Sequence, residues 1–145
     1  SKDPSTLVKT SIDKKNRIIY VEEQLCRANL NTSQLGEVFQ DKAGKNLIIA
    51  DSAEPRLISE LKRYCNIRPS EKGQGSVSGG IANLLDYEIV VTRNSLNIVK
   101  ELNNYIWDDK KSGTPIDDFN HCIDALRYAV QSQLAKPNAG KYFTY

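Results

Sequence analysis

The run Asn46-Leu47-Ile48-Ile49-Ala50-Asp51-Ser52-Ala53-Glu54-Pro55 constrains the fold more than any other stretch of this chain. Its apolar part lacks the alternation of a half-exposed strand, so it reads as a strand covered on both faces, as in the parallel part of an α/β sheet. The run breaks at an acid, and the small residues and proline that follow suit the start of a helix from about Pro55 to Tyr64. Asp51 would then sit at the carboxyl end of a strand, where ligands gather in open α/β sheets. A plainer role suits the same position, with Asp51 or Ser52 capping the next helix. The run by itself leaves both readings open.

The rest of the chain fits around such a strand. Thr6 to Ile12 and Arg17 to Leu25 carry β-branched and aromatic residues on either side of the polar Asp13-Lys14-Lys15-Asn16, which reads as an antiparallel hairpin. Glu22 and Glu23, adjacent near its end, point to opposite faces of a strand, and a solvent role is expected for both. Leu35, Val38 and Phe39 then repeat at helical spacing from Gln34 to Lys42, with Thr32 or Ser33 as N-cap and Gly44 at the close. Arg68 to Gly80 is rich in glycine and serine, centred on Lys72-Gly73-Gln74-Gly75-Ser76. It is no Walker A loop, and it reads equally as a phosphate-contacting loop or a plain connection. A helix from Ser76 to Leu85 and a strand from Tyr87 to Thr92 follow. Asn94 or Ser95 caps a helix through about Asn104, whose buried side is Leu96, Val99 and Leu102. Tyr105-Ile106-Trp107, a polar turn and Thr114-Pro115-Ile116 suggest a small hairpin, with Trp107 as a packing anchor. Ala139 to Tyr145 reads as a loose tail. Strands and helices in alternation make this one α/β domain with a mixed sheet over residues 1–145.

The closing helix carries the second candidate site. On a helix, Asp117, His121, Asp124 and Tyr128 fall within an arc of about 60°. Phe119, Cys122, Ile123, Leu126 and Val130 cluster on the other side. The polar stripe thus holds two carboxylates, the single histidine of the chain and a phenol, a set that can hold a cation. A solvated face is the plain alternative.

Composition excludes several classes of function. With 20 basic and 18 acidic side chains the formal net charge is +2, so no global cationic field recruits nucleic acid and local patches must do so. No apolar run approaches a bilayer span and no signal peptide opens the sequence, so a cytoplasmic protein without membrane contact is expected. Cys26, Cys65 and Cys122 are odd in number and far apart, and read as reduced core thiols.

Asn120-His121-x-x-Asp124-Ala125-x-Arg127-Tyr128 resembles the closing motif of the nuclease domain in the large subunit of tailed-phage terminases. Four further stretches are similar to that family in order and spacing: the Ser-x-Asp-Pro-Ser-Thr opening, Asp51-Ser-Ala-Glu-Pro, Lys72-Gly-x-Gly-Ser, and the Asn-x-x-Lys-Glu-Leu-x-x-Tyr-x-Trp run at Asn97 to Trp107. The resemblance implies a ribonuclease H-like mixed sheet flanked by helices and a metal-dependent endonuclease that cuts double-stranded viral DNA. It implies Asp51 and Asp124 as ligands of a two-metal site for Mg2+ or Mn2+, with the cations roughly 3.5 to 4 Å apart. His121 would be a secondary ligand or a proton shuttle, with Asp117 and Asp118 in reserve. Lys72, Arg93 and Arg127 are candidate DNA contacts, although Arg127 could equally pair with an acid inside the fold. An upstream ATPase domain of the same polypeptide, the portal and the small terminase subunit are the implied partners.

The chain departs from the family at its start, where the first strand and its acid would precede Ser1. That strand would be central, so the hairpin would lack a neighbour on the Asp51 side, and a longer polypeptide or another source for the strand is expected. Two rival readings remain: a ribonuclease H-like module that binds DNA or a packaging partner without cutting, and a resolvase or ribonuclease of the same fold.

Overall fold

A computed structural model describes residues 3–71, 84–112, 121–134 and 142–144. Strand β1 (Ser5–Asp13) and strand β2 (Ile18–Arg27) form the expected antiparallel hairpin, with a bulge between Leu7 and Val8. Its turn is closed by Asn16, whose backbone N–H and side-chain amide both donate to the Asp13 carboxylate, at 3.0 and 2.8 Å. Helix α1 (Thr32–Ala43) follows, then strand β3 (Ile48–Ala50), helix α2 (Pro55–Leu61) and strand β4 (Ile67–Pro69). Strand β5 (Glu88–Val91), helix α3 (Leu96–Ser112), helix α4 (His121–Leu134) and strand β6 (Tyr142–Thr144) complete the described elements.

The described strands form one mixed sheet in the order β4-β3-β6-β1-β2-β5. Its two faces are buried separately. Leu7, Ile48, Ala50 and Ile67 pack with Leu35 and Phe39 of α1 and Ile58 and Leu61 of α2. On the other face Val8, Ile19 and Val21 pack with Ile98 of α3 and Cys122, Ile123 and Leu126 of α4. Strand β3 divides its side chains between the two layers, since Ile49 meets Tyr128 of α4 while its neighbours face α1 and α2. Burial on both sides is the physical reason for the unbroken apolar run.

Several boundaries differ from the expectation. Asn31, and not Thr32 or Ser33, caps α1: its Oδ1 accepts from the Gln34 amide at 2.8 Å, and the Gln34 side chain accepts from the Asn31 amide at 3.0 Å. This reciprocal pair satisfies two amides, where a hydroxyl one residue later would satisfy one. Helix α2 stops at Leu61, short of Tyr64. Strand β4 was not anticipated, because three residues carry no measurable period. Helix α3 runs on to Ser112 through Tyr105-Ile106-Trp107, so the first half of the expected small hairpin is helical. Aromatic and β-branched letters suggested a strand there, yet Leu102 and Ile106 keep helical spacing and no glycine or proline intervenes before Gly113. The Thr114-Pro115-Ile116 half lies outside the described residues, as does most of the expected helix from Ser76 to Leu85.

The expected gap beside the hairpin is filled. Strand β6 lies between β1 and β3, antiparallel to the first and parallel to the second, so residues 142–144 of the expected loose tail are part of the sheet. Val8 pairs with Thr144 and Thr10 with Tyr142, while Phe143 is in register with Ile48. Backbone N–H and C=O groups in the middle of a sheet are costly when unpaired, and a short β-prone segment supplies partners for them.

Candidate active site

The carboxyl end of β3 and the first turn of α4 open on one cleft of about 630 Å³. Asp3, Asp51, Glu54, His121, Asp124 and Tyr128 are among its lining residues. Asp51 follows the last residue of β3, and its Oδ1 accepts from the Ala53 amide at 3.0 Å, closing a tight turn. The cap position of α2 is Glu54, which makes no side-chain cap bond, so Asp51 and Ser52 do not cap that helix. Helix α4 crosses β1 and β3 and carries its polar residues to the same cleft. Of its stripe, His121, Asp124 and Tyr128 therefore line the cleft.

Asp124 is half-buried and its Oδ1 accepts from the Arg127 guanidinium at 3.2 Å. Burial is the main cause holding its carboxyl above the usual range, the adjacent Arg127 opposes that rise, and the negative charge of Asp51 adds to it. The two acids thus feel each other across the cleft. His121 lines the same space, with its Nε2 at 3.9 Å from Asp3 Oδ1. Thr6 donates to the His121 carbonyl at 3.5 Å, tying the start of α4 to β1. Tyr128 is buried against Ile49, with the Arg127 guanidinium 4.9 Å from its ring centre.

The candidate DNA contacts are scattered. The Arg127 side chain is only 8% exposed and is committed to Asp124, so of the two roles left open for it the internal ion pair is the one observed. Arg93 is exposed in the turn after β5, at the far edge of the sheet, and does not line the cleft. Lys72, Asp117 and Asp118 lie outside the described residues.

Two acidic side chains were missed. Asp3 stood in a stretch read only as a turn, although it belongs to the Ser-x-Asp-Pro opening, and Glu54 was masked by its place beside a helix-starting proline. Glu23, expected in solvent, instead binds the first turn of α3 through Asn97 and Ile98, while Glu22 accepts from Gln24 at 2.7 Å.

Oxygen-rich side chains of this kind suit a hard divalent cation, and the mutual repulsion of Asp51 and Asp124 is what such an ion would relieve. Among the described residues, no three His, Cys, Asp or Glu side chains are drawn together closely enough to hold an ion by themselves. The fit is to an open site, one completed by water or by the oxygens of a substrate. Among the described residues no helix is long and apolar enough to cross a membrane.

Comparison with known proteins agrees with this geometry. A family model described as the terminase RNase H-like domain matches residues 1–132. The large terminase subunit of Bacillus phage SPP1 is 34% identical over 144 residues, which cover 92% of this chain and 34% of that protein. The chain therefore spans about a third of that relative. The crystal structure of the large terminase nuclease domain from bacteriophage SPP1 with bound Mn superimposes with a TM-score of 0.77 at 32% identity, covering 91% of this chain and 80% of that one. With a mixed sheet between two helical layers and acids gathered at its carboxyl end, the chain belongs to the ribonuclease H-like domain family of phage terminases.

Proposed function

We propose that this chain is the nuclease domain of a phage DNA-packaging terminase, hydrolysing phosphodiester bonds of double-stranded viral DNA with Mg2+ or Mn2+ held by Asp51 and Asp124. The observation that carries this reading is the meeting of those two acids, remote in sequence, at the lining of one cleft. Bound divalent cations would supply a nucleophile at neutral pH and neutralise charge on the leaving oxygen.

The chain's own groups have definable tasks. Asp51 offers carboxylate oxygen from the end of a rigid buried strand, and its turn bond to Ala53 limits how far it can swing. Asp124 offers a second carboxylate whose Oδ1 is steadied by Arg127. His121 presents Nε2 beside Asp3 and either takes a proton from water or ligates through that same nitrogen, which excludes doing both at once. Lys72 and Arg93 are proposed to hold the DNA backbone away from the reacting phosphate. The rest of the packaging machine, with an ATPase, a portal and a small subunit, is proposed from the family alone.

Nicking of supercoiled DNA by the purified protein in Mn2+ tests the reading. Loss of the metal's charge stabilisation should reduce cutting by roughly 100-fold or more in Asp51→Ala and in Asp124→Ala. Circular dichroism of both should remain that of the parent. Undiminished cutting by either variant removes that residue from the mechanism. The open ligand set also permits a domain that binds DNA without cutting it, and saturable Mn2+ binding that disappears with Asp51→Ala would exclude this alternative.

A further inference from the structure

The described part of helix α4 begins at His121, and the amides at a helix start need partners from outside it. Two of them are satisfied from another element. Glu101 of α3 is 5% exposed, and its Oε1 accepts from the Cys122 amide at 2.8 Å and the Ile123 amide at 3.0 Å. Those amides lie between His121 and Asp124, the two residues that α4 brings to the cleft. Among the described residues no lysine or arginine bonds to Glu101, and its partners are the two helix amides and the thiol of Cys122. A carboxylate at this depth is retained at a cost in desolvation.

Helix α3 is held in the same manner one step earlier. The Glu23 carboxylate of β2 accepts from the amides of Asn97 and Ile98 at 2.9 and 3.1 Å, and from the Asn97 side chain at 2.8 Å. Position is thus passed from the sheet to α3 through Glu23, and from α3 to α4 through Glu101. Arg127 then steadies the Asp124 carboxylate itself.

From this arrangement we infer that Glu101 is a positioning residue, which fixes the rotation and depth of the α4 first turn and so aims His121 and Asp124 into the cleft. The inference rests on the function proposed above. Both amide bonds end on one oxygen, so a glutamine in that place keeps them and loses only the charge. An aspartate keeps the charge and is one methylene too short to reach both amides.

Mn2+ titration of purified Glu101→Gln, Glu101→Asp and Glu101→Ala separates aim from mere stability. Outer partners of ligands commonly govern metal affinity, so Asp and Ala variants should bind about 10-fold more weakly or worse, and Gln within about threefold of the parent. Ile67→Val, which trims the core on the opposite face of the sheet, should lower thermal stability and leave Mn2+ affinity unchanged. A folded Glu101→Asp that binds Mn2+ as tightly as the parent overturns the inference, and that variant decides the matter if Glu101→Ala does not fold. Failure of the parent itself to bind Mn2+ would count against the proposed function instead. In that event amide exchange at Cys122 and Ile123, with the ring resonances of the single histidine, decides: faster exchange and shifted resonances in Glu101→Asp support the inference, and unchanged ones overturn it.

Discussion

Cys26, Cys65 and Cys122 show how burial, joined at two of them by nearby acids, sets the chemistry of a side chain. All three are free thiols. Burial pushes Cys65 up to about 11, and it raises Cys26 and Cys122 as well, the last with the added negative charge of Glu101 beside it. Since the thiolate is the reactive form, each raised value lowers reactivity. For Cys65 the rise from 9.0 to about 11 leaves roughly 100-fold less thiolate near neutral pH. Mass spectrometry of iodoacetamide-treated protein at pH 8 should therefore find all three alkylated at least about 10-fold more slowly in the native state than in urea. Rapid native labelling at Cys122 would mean that the start of α4 is not packed as described. The reading of these cysteines as reduced core thiols came from their number and spacing; Cys122 is buried in the core, while Cys26 and Cys65 are half-buried at the edges of the two core layers. Glu23 and Glu101 were not legible in the same way, because a glutamate that caps a distant helix has the same local letters as one in solvent.

At the scale of elements, the close approach of α1 to the segment after α2 depends on one missing methyl group. A Cβ at Gly36 would overlap the ring of Tyr64, which packs on the helix surface there. Gly36→Ala gains about 1 kcal/mol of helix propensity. Against that gain, overpacking a fixed aromatic ring costs about 1 to 3 kcal/mol, so a net loss of stability is expected. Thermal melts should show a drop of a few degrees, and an unchanged or raised Tm would show that Tyr64 moves aside freely. The hairpin and α1 were legible from period and turn chemistry, β3 from its unbroken apolar run, and β5 from its β-branched residues. Helix α3 was misread in its buried side, which is Ile98 with Leu102 while Leu96 and Val99 are exposed, and at its end, because residues 105–107 favour strands locally while the helix continues without a break. Local propensity is a weak prior beside the packing of a long helix.

For the molecule as a whole, the sheet is joined across its middle by its shortest kind of strand. Strand β6 has three residues and is the only described link between the β3-β4 pair and the β1-β2-β5 group. Thr144 is fully buried and its hydroxyl donates to the Val8 carbonyl at 3.3 Å. Removal of residues 142–145 should leave backbone groups of Val8, Thr10 and Ile49 without sheet partners, whereas Ile48 and Ala50 keep their bonds to the β4 side. Hydrogen exchange should then accelerate at β1 and β3 while the β1-β2 turn keeps its parent rate. Unchanged protection at β1 and β3 would show that this junction does not depend on β6.

What the sequence alone determined was the set of pieces and the chemistry they carry: an α/β domain, a strand buried on both faces ending at Asp51, and a helix bearing His121 and Asp124 on one stripe. These follow from short-range rules of period, capping and spacing, which act within a few residues. The tertiary structure decided which pieces meet. It brought Asp51 and Asp124 to one cleft, turned Arg127 inward, placed the chain's end between β1 and β3, and set Glu101 on the amides of α4. Each of those depends on contacts between residues remote in the chain, and their energies come from burial and hydrogen bonding that no local pattern encodes.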